Sequence, residues 1–463
     1  MTLAIVFIML MGYVLICTEH ITRINKATVA VFCGVVGWVL FVCVGPDYIS
    51  SLHGRDFEDF LDGAPFSIQS VNAYISEHLL ARHVFYVCSI VMYLLSTMAI
   101  VELLQNNDCF NFITNWCRSR SKWHVVCCLA FFSFVLSANL DNLTSSVLML
   151  MILGQLIINP SQRRLLGVIV VIATSCGGSF TVIGDVTSMI IWTREVVTPT
   201  NYSAALVLPA IVAMVIPTAL IGRKLPERLD IKRQPIVFRG DTSSLPVWQR
   251  LMMLIIGIGG LWFVPTFYRL THLPPFLGAL CVLGVLWVVN EIVNRRSILS
   301  EQPVNMSANR SLQYAILQMI MFFVGVGLCV SVLIEVGAMQ HVAVWCNEHI
   351  HNIYIMSAFL GVVSAVMDNI ALVLSAVSIY HEVPVAATEY MSSFMQNGQY
   401  WHLVALCSCV GGCLLPIGCT AGYTLMKSED VSIWWYARHI TFKVFLGWLA
   451  ALGVYFIVDS FLR

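Results

Sequence analysis

Charged residues are scarce in this sequence. Only 11% of its 463 residues are Asp, Glu, Lys or Arg, whereas 59% are apolar, and no water-soluble domain has that balance. The 25 acidic residues equal the 25 lysines and arginines, so the formal net charge is zero. The overall charge therefore gives no reason to expect nucleic acid or an acidic macromolecule as a partner.

Long apolar runs take the place of the missing charges. A membrane-spanning helix needs about 20 mainly apolar residues, and the sequence predicts an all-α polytopic membrane protein with about ten full spans in the lipid bilayer. No basic residues precede the first run and no small-residue cleavage site follows it, so we expect a retained span and not a signal peptide. The clearest runs are residues 2–18, 27–45, 86–104, 203–221, 249–266, 274–293, 313–335 and 440–459.

Lysine and arginine are concentrated on one predicted side of the membrane. If the first loop is cytoplasmic, 19 of the 25 fall in cytoplasmic segments and five in external ones, with Lys443 left inside a span. Cytoplasmic loops of membrane proteins carry an excess of these residues. The distribution therefore predicts that both termini lie outside.

The 16 cysteines mostly fall inside apolar runs, where a disulfide is a poor explanation. We expect them to be small buried packing residues. Cys407, Cys409 and Cys413 form a closer group, for which a soft-metal site is the alternative to packing. Their spacing matches no familiar zinc pattern, which favours packing.

Two apolar regions are each interrupted by an Asp-Asn pair near the middle. The region from about 123 to 158 has basic residues at both ends, so it enters and leaves the membrane on the cytoplasmic side. The region from about 352 to 380 has acidic flanks and is predicted to enter from outside. Charge alone leaves open whether each is a re-entrant hairpin or a pair of full spans. The two pairs are Asp141-Asn142 and Asp368-Asn369.

An internal repeat relates the two halves of the chain. Residues 137–144 align with 364–371, and residues 177–185 align with 411–419. Each half then has an odd number of crossings, so the second half is predicted to be inverted, as in many transporters. The predicted organisation is a first inverted repeat at 1–221 with a re-entrant hairpin at about 123–158 and a discontinuous helix at about 166–194, a cytoplasmic linker at 222–248, and a second inverted repeat at 249–463 with a hairpin at about 352–380 and a discontinuous helix at about 400–426.

Glycine pairs and one proline interrupt the two predicted discontinuous helices. Each unsatisfied peptide group costs several kcal/mol in hydrocarbon, so irregular backbone persists only where it lines a cavity or is buried in protein. A harmless kink or close helix packing is the alternative. Two breaks at corresponding positions favour a binding site. The residues at the breaks are Gly177, Gly178, Gly184, Gly411, Gly412, Pro416 and Gly418.

Three aspartates lie within these apolar segments. An ionised carboxylate deep in a bilayer costs at least about 2.5 kcal/mol and usually marks an ion or proton path. All three also stand at natural N-cap positions, and a capping carboxylate can still exchange H⁺ for a metal cation. Neighbouring neutral oxygens suit a small hard cation, although each could instead bond its own helix. The candidate ion- and proton-binding residues are Asp141, Asn142, Thr144, Asp185, Thr187, Ser188, Asp368 and Asn369, with Ser137, Ser145 and Thr181 as further oxygens.

These motifs resemble those of NhaD-type sodium/proton antiporters of the ion transporter superfamily. The resemblance rests on residues 141–145, 177–188 and 367–369, and with the span order it covers nearly the whole chain. It implies exchange of internal Na⁺, or Li⁺, for external H⁺ by a homodimer in a bacterial inner membrane, without a cofactor. It also implies that Asp141 and Asp185 are the essential acids that bind Na⁺.

Two other functions are alternatives to sodium/proton exchange. Superfamily members that carry dicarboxylates resemble Ser-Asn-Thr at the hairpin tips, whereas Asp at a helix N-terminus offsets the potential that attracts anions. A carrier of dicarboxylate or arsenite is therefore the alternative transporter. An intramembrane aspartyl protease is the remote alternative, but Val182 replaces the first glycine of its Gly-x-Gly-Asp pattern. The chain is thus predicted to work by alternating access and not as an enzyme.

Cys419 and five histidines give two further predictions. Cys419 stands where the second repeat would place the counterpart of Asp185, so the halves are not expected to be functionally equivalent. Histidines in predicted external or interfacial stretches are expected to be solvated, with pH sensing as the alternative. They are His78, His83, His341, His349 and His351.

Overall fold

The computed structural model describes residues 2–62, 65–232, 245–298, 310–380 and 389–462. Within these residues the regular structure is helical, and the strand pairing is limited to the isolated bridges Ser121–Arg228 and Ile157–Ile231. The predicted all-α class is confirmed.

Seven helices in the described part of the chain are long and apolar enough to cross a membrane. They overlap seven of the eight apolar runs in the sequence, although Ile68–Asn106 begins 18 residues before the run at 86–104, and the run at the start forms a shorter helix. The polytopic membrane class is therefore confirmed, and the total of about ten full spans stays a prediction. The seven are Lys26–Pro46, Ile68–Asn106, Pro199–Gly222, Val247–Thr271, Pro275–Asn294, Leu317–Glu335 and Ile433–Phe461.

Eight of the other helices form two helix pairs and two broken helices, one of each kind in each half of the chain. The first helix pair is Lys122–Ser137 with Asn142–Leu156, and the first broken helix is Pro160–Ser179 with Val186–Thr193. The second helix pair is Ile353–Ser364 with Asn369–Ile379, and the second broken helix is Gln399–Gly411 with Thr420–Glu429. The remaining short helices are Thr2–Cys17, Glu19–Thr22, Gly54–Leu61, Asn111–Cys117, Ala338–His349 and Glu389–Ser392.

These pieces lie where the hairpins and discontinuous helices are predicted. Their re-entrant course and the inverted orientation of the second half stay predictions. The predicted linker at 222–248 begins where Pro199–Gly222 ends, and its first residues run back along the first helix pair. The Leu229 amide donates to the Arg120 carbonyl at 3.1 Å, and the Lys232 amide to the Leu156 carbonyl at 3.0 Å. Residues 233–244 of the linker lie outside the described part.

Internal contacts divide the chain into two compact units, which differ from the two predicted repeats. The division into repeats stays a prediction. Every candidate site residue belongs to the second unit. The first unit comprises Met1–Val91, Val304–His351 and Leu374–Glu382, and the second comprises Met92–Pro303, Asn352–Val373 and Val383–Arg463.

In the first unit, the helix Lys26–Leu52 packs along the helix Arg310–Glu335. These two helices contain the apolar spans Lys26–Pro46 and Leu317–Glu335. The two helices approach closely, since a Cβ added to Gly325 would lie 2.6 Å from the backbone of Ala30. Small residues permit this kind of contact between membrane helices. The Trp38 indole also donates to Ser331 Oγ at 3.1 Å across the same interface.

Glu335 ends this packed helix inside a cluster of histidines. Its two carboxylate oxygens lie 2.7 Å from His53 Nε2 and 2.7 Å from His83 Nε2, and its side chain is only 1% exposed. An Arg82 guanidinium nitrogen lies 3.8 Å away. The expectation of a solvated side chain is wrong for His83, because this histidine is buried as a partner of the carboxylate.

Candidate functional site

The two broken helices cross within the second unit. The upstream segment of each, Pro160–Ser179 or Gln399–Gly411, packs against both segments of the other. Each upstream segment also packs on the first helix of its own helix pair, Lys122–Ser137 or Ile353–Ser364. The same arrangement of pieces therefore occurs in both halves.

Glycines allow these contacts at matching positions. A Cβ added to Gly177 would lie 2.8 Å from Phe134 Cα, and one added to Gly411 would lie 2.8 Å from Gly361 Cα. Such distances are too short for carbon atoms, which pack at about 3.5–4.0 Å. The glycines thus serve close helix packing as well as the helix breaks, and a binding site at the breaks stays a prediction.

Two tyrosines satisfy backbone carbonyls that the breaks release. The Tyr202 hydroxyl donates to the Ser179 carbonyl at 2.9 Å, and the Tyr436 hydroxyl donates to the Cys413 carbonyl at 2.9 Å. Each tyrosine follows its acceptor by 23 residues, so the pairing repeats in both halves. A buried carbonyl without a donor would be costly, and the hydroxyls remove that cost.

Asp141 is the N-cap of Asn142–Leu156, as predicted from its position. Its Oδ1 accepts from the Thr144 amide at 2.8 Å and its Oδ2 from the Thr144 hydroxyl at 2.5 Å. The next residue, Asn142, accepts through Oδ1 from the Thr420 hydroxyl at 3.2 Å. The first helix pair is thereby tied to the downstream segment of the second broken helix.

Asp185 is the N-cap of Val186–Thr193, the downstream segment of the first broken helix. Its Oδ1 accepts from the Val186 amide at 2.8 Å. Its Oδ2 accepts from the Thr187 hydroxyl at 2.5 Å and from the Cys409 thiol at 3.2 Å. Ser188 completes the cap, because its hydroxyl donates to the Asp185 carbonyl at 2.8 Å and accepts from the Asp185 amide at 3.2 Å.

The two carboxylates are buried in the same unit. Asp141 and Asp185 are each only 3% exposed, and Asp141 is a minor electrostatic neighbour of Asp185. Two negative charges held together away from water repel each other. A cation or a proton bound near them relieves this repulsion, which is the property that an exchange site needs.

A second centre occupies the corresponding place in the other half. Asp368 is 4% exposed, and its Oδ1 accepts from the Ile370 amide at 3.0 Å. Close to it, Cys419 caps Thr420–Glu429 through a contact of 3.3 Å between its sulfur and the Gly422 amide. Because Cys419 replaces an aspartate, this centre brings together one carboxylate and a thiol.

The remaining candidate oxygens fall into two groups. The Thr181 hydroxyl donates to the Ala138 carbonyl at 2.6 Å, and that of Ser188 is engaged in its cap, so both serve the backbone. Among the described residues, Ser137 Oγ, Ser145 Oγ and Asn369 Nδ2 are buried without a hydrogen-bond partner. The two serine oxygens are therefore available to a ligand.

Two side chains at the site were not predicted as part of it. Tyr93 is fully buried near Asp141, and its hydroxyl has no hydrogen-bond partner among the described residues. Cys409 was expected to pack or to join a soft-metal site, yet it contacts Asp185, and the described residues contain no cluster of three or more potential metal-binding His, Cys, Asp or Glu side chains. The sequence did contain one indication for Cys409. This residue stands ten positions before Cys419, the counterpart of Asp185 in the repeat, and so lies near the second helix break.

The donor set fits a small hard cation. Carboxylates, hydroxyls and an amide oxygen are the groups that such ions prefer, whereas thiols are soft ligands. In the second unit, the Thr144 hydroxyl contacts the Asp141 carboxylate, and the Thr187 hydroxyl contacts the Asp185 carboxylate. Their role as ion ligands stays a prediction.

Comparison with known proteins gives consistent results. A family model described as citrate transporter (CitMHS) matches residues 1–406. Sodium/proton antiporter 2 of Arabidopsis thaliana is 30% identical over 97% of this chain and 98% of its own length. Sodium/proton antiporter 1 of the same plant is 30% identical over 97% of this chain and 71% of its own. The Na(+)/H(+) antiporter NhaD of Alkalimonas amylolytica is 24% identical over 97% of this chain and 89% of its own. The family resemblance seen in the motifs is confirmed.

Proposed function

Since this chain belongs to the citrate transporter family and is similar along nearly its whole length to proteins named sodium/proton antiporters, we propose that it exchanges Na⁺ for H⁺ by alternating access. Li⁺ is the second cation expected to be carried. The exchange is driven by ion gradients, needs no cofactor and includes no enzymatic step.

The observation that carries this proposal is the pair of buried carboxylates at the start of two helices. Asp141 and Asp185 are buried, interact electrostatically and each accept a hydroxyl hydrogen bond. A helix N-terminus stabilises the ionised carboxylate, while burial stabilises the protonated one. The two forms are thereby brought close in free energy, so that a change of ion concentration selects between them.

Competition for this centre would couple the two ions. Na⁺ binds to the ionised carboxylates on one side of the membrane and is displaced by protons on the other. Hydroxyl oxygens of Thr144 and Thr187 already contact the carboxylates and would complete the coordination of Na⁺. Asp368 assists from the second centre, whose thiol cannot replace a carboxylate as a hard ligand.

The setting of the exchange is also proposed. The excess of Lys and Arg in alternate loops supports an orientation with both termini outside. Resemblance to bacterial NhaD proteins supports a homodimer in a bacterial inner membrane, while the relatives include plant as well as bacterial proteins. Labelling of terminal tags on intact cells tests the orientation, and light scattering on purified protein tests the dimer.

Asp141→Asn and Asp185→Asn test the proposal directly. Each removes one negative charge and keeps the size of the side chain, so Na⁺-induced dissipation of a pH gradient in everted vesicles should fall at least about tenfold, as losing an interaction with a charged group costs about 1.5–3 kcal/mol. Asp56→Asn, at an exposed site in the first unit, is the matched control. Undiminished exchange in either site variant would exclude the role.

An anion carrier is the second candidate, because the matching family model is described as a citrate transporter. The buried aspartates make an anion carrier less favourable, since they offset the positive potential of the helix N-termini that an anion would use. Exchange measured with chloride as the only anion separates the two candidates. If protons move only when citrate or another carboxylate is added, the chain is an anion carrier.

A further inference from the structure

One thiol reaches a carboxylate of the site from the other half of the chain. Cys409 Sγ lies 3.2 Å from Asp185 Oδ2 and 3.2 Å from Thr187 Oγ1, and Cys409 is only 1% exposed. It belongs to Gln399–Gly411, whereas Asp185 begins a segment of the first broken helix. The contact joins residues 224 apart and forms only where the two broken helices cross.

The matching positions of the second centre carry other residue types. In the alignment of the repeats, Ser175 matches Cys409, and Cys419 matches Asp185. The main neighbour of the Cys419 thiol is Cys413, and the Ser175 hydroxyl is buried without a hydrogen-bond partner among the described residues. The hydrogen bond between a thiol and a carboxylate is therefore a feature of the first centre, where Asp185 caps the downstream segment.

The hydrogen bonds define what the thiol does. Thr187 has a single hydroxyl proton and donates it to Asp185 Oδ2, so the proton of the Cys409 thiol is a second donor to the same oxygen. The Val186 amide donates to the other oxygen. Three donors therefore hold the ionised carboxylate. A thiol is a weak donor and a poor ligand for a hard cation, so it orients the carboxylate without competing for Na⁺.

We propose that Cys409 is a positioning residue for Asp185, and that its thiol tunes the Na⁺ affinity of exchange. This inference rests on the proposed Na⁺/H⁺ exchange. A donor to the carboxylate favours the ionised form, which binds Na⁺, over the protonated form. The other titratable groups that interact with this pair are Asp141, Cys176 and Tyr202, and all three are unchanged by substitution at Cys409.

Cys409→Ala and Cys409→Ser separate positioning from packing. In Cys409→Ala we expect the apparent KM for Na⁺ to rise about fivefold, the effect of losing one net hydrogen bond, with little change in the maximal rate. Cys409→Ser should return the apparent KM towards wild type, since its hydroxyl donates in the same place. Cys407→Ser, buried on the same segment, is the control and should leave the apparent KM unchanged.

The measurement is Na⁺-dependent proton movement in everted vesicles across a range of Na⁺ concentration at one fixed pH. If the thiol only fills space, Cys409→Ala and Cys409→Ser will leave the apparent KM at the wild-type value, and the inference is overturned. Absence of Na⁺-dependent exchange in the wild-type protein would instead overturn the proposed function, and this inference with it.

Discussion

Gly177→Ala is expected to abolish most exchange in a protein that still folds. The added Cβ would lie 2.8 Å from Phe134 Cα and closer still to the Phe134 carbonyl oxygen. Since carbon atoms pack at about 3.5–4.0 Å, the helices on either side must separate by about 1 Å. Overpacking of this size typically costs about 1–3 kcal/mol, which a folded protein can tolerate.

The displacement matters because these two helices lead into the two carboxylates. Lys122–Ser137 ends shortly before Asp141, and Pro160–Ser179 ends shortly before Asp185. In enzymes, a misplacement of about 1 Å can cost about a hundredfold in rate, and the proposed ion site, which draws on both helices, would depend on the same precision. We therefore expect exchange to fall at least about tenfold, beyond any effect on stability.

The assay combines Na⁺-induced dissipation of a pH gradient in everted vesicles with thermal unfolding of the purified protein. Gly411→Ala creates the same clash in the other half, against Gly361 Cα at 2.8 Å, and should act in the same way. Gly284→Ala is the control, because a Cβ there would meet no atom within 4 Å among the described residues. Equal exchange in Gly177→Ala and Gly284→Ala would refute the argument from close packing.

Two further predictions concern stability. Glu335→Ala removes the carboxylate that contacts His53 and His83, and because a hydrogen bond to a charged group contributes about 1.5–3 kcal/mol, we expect a clearly lower unfolding temperature in detergent. An unfolding temperature equal to wild type would show that the cluster contributes nothing. Tyr202→Phe removes the donor to the Ser179 carbonyl and should destabilise the protein by about 1–3 kcal/mol, measured by the same unfolding experiment. An unchanged transition would mean that another group satisfies this carbonyl.

Local signals in the sequence predict much of the fold. Apolar runs of about 20 residues form helices because a helix of that length satisfies its backbone groups within one segment as it crosses the lipid. The helix breaks could be located because a glycine or an N-cap aspartate affects the backbone of the helix turn in which it stands. The first discontinuous helix, predicted at about 166–194, has its segments at Pro160–Ser179 and Val186–Thr193. The capping roles of Asp141 and Asp185 follow from the same local chemistry.

Contacts between distant residues could not be predicted in this way. The Cys409 thiol meets Asp185 because two broken helices cross, and no sequence pattern within either helix specifies the partner. His83 is buried against Glu335, 252 residues away, although its surroundings in the sequence resemble an interfacial stretch. The hydrogen-bond partners of Cys409 and His83 could not be predicted, because each partner lies more than 200 residues away in the sequence. The repeat is the exception, because it relates distant positions and matches Cys409 with Ser175.

The hydroxyls of Tyr202 and Tyr436 bear on how the chain behaves between turnovers. Each holds a backbone carbonyl at a break through a bond within the protein, so these carbonyls need no cargo to satisfy them. The interruptions in the two helices therefore do not depend on a bound ion. In the proposed exchange, arrival of an ion would require little ordering of the backbone, so little affinity would be lost to that ordering and the ion could leave again without unfolding its surroundings.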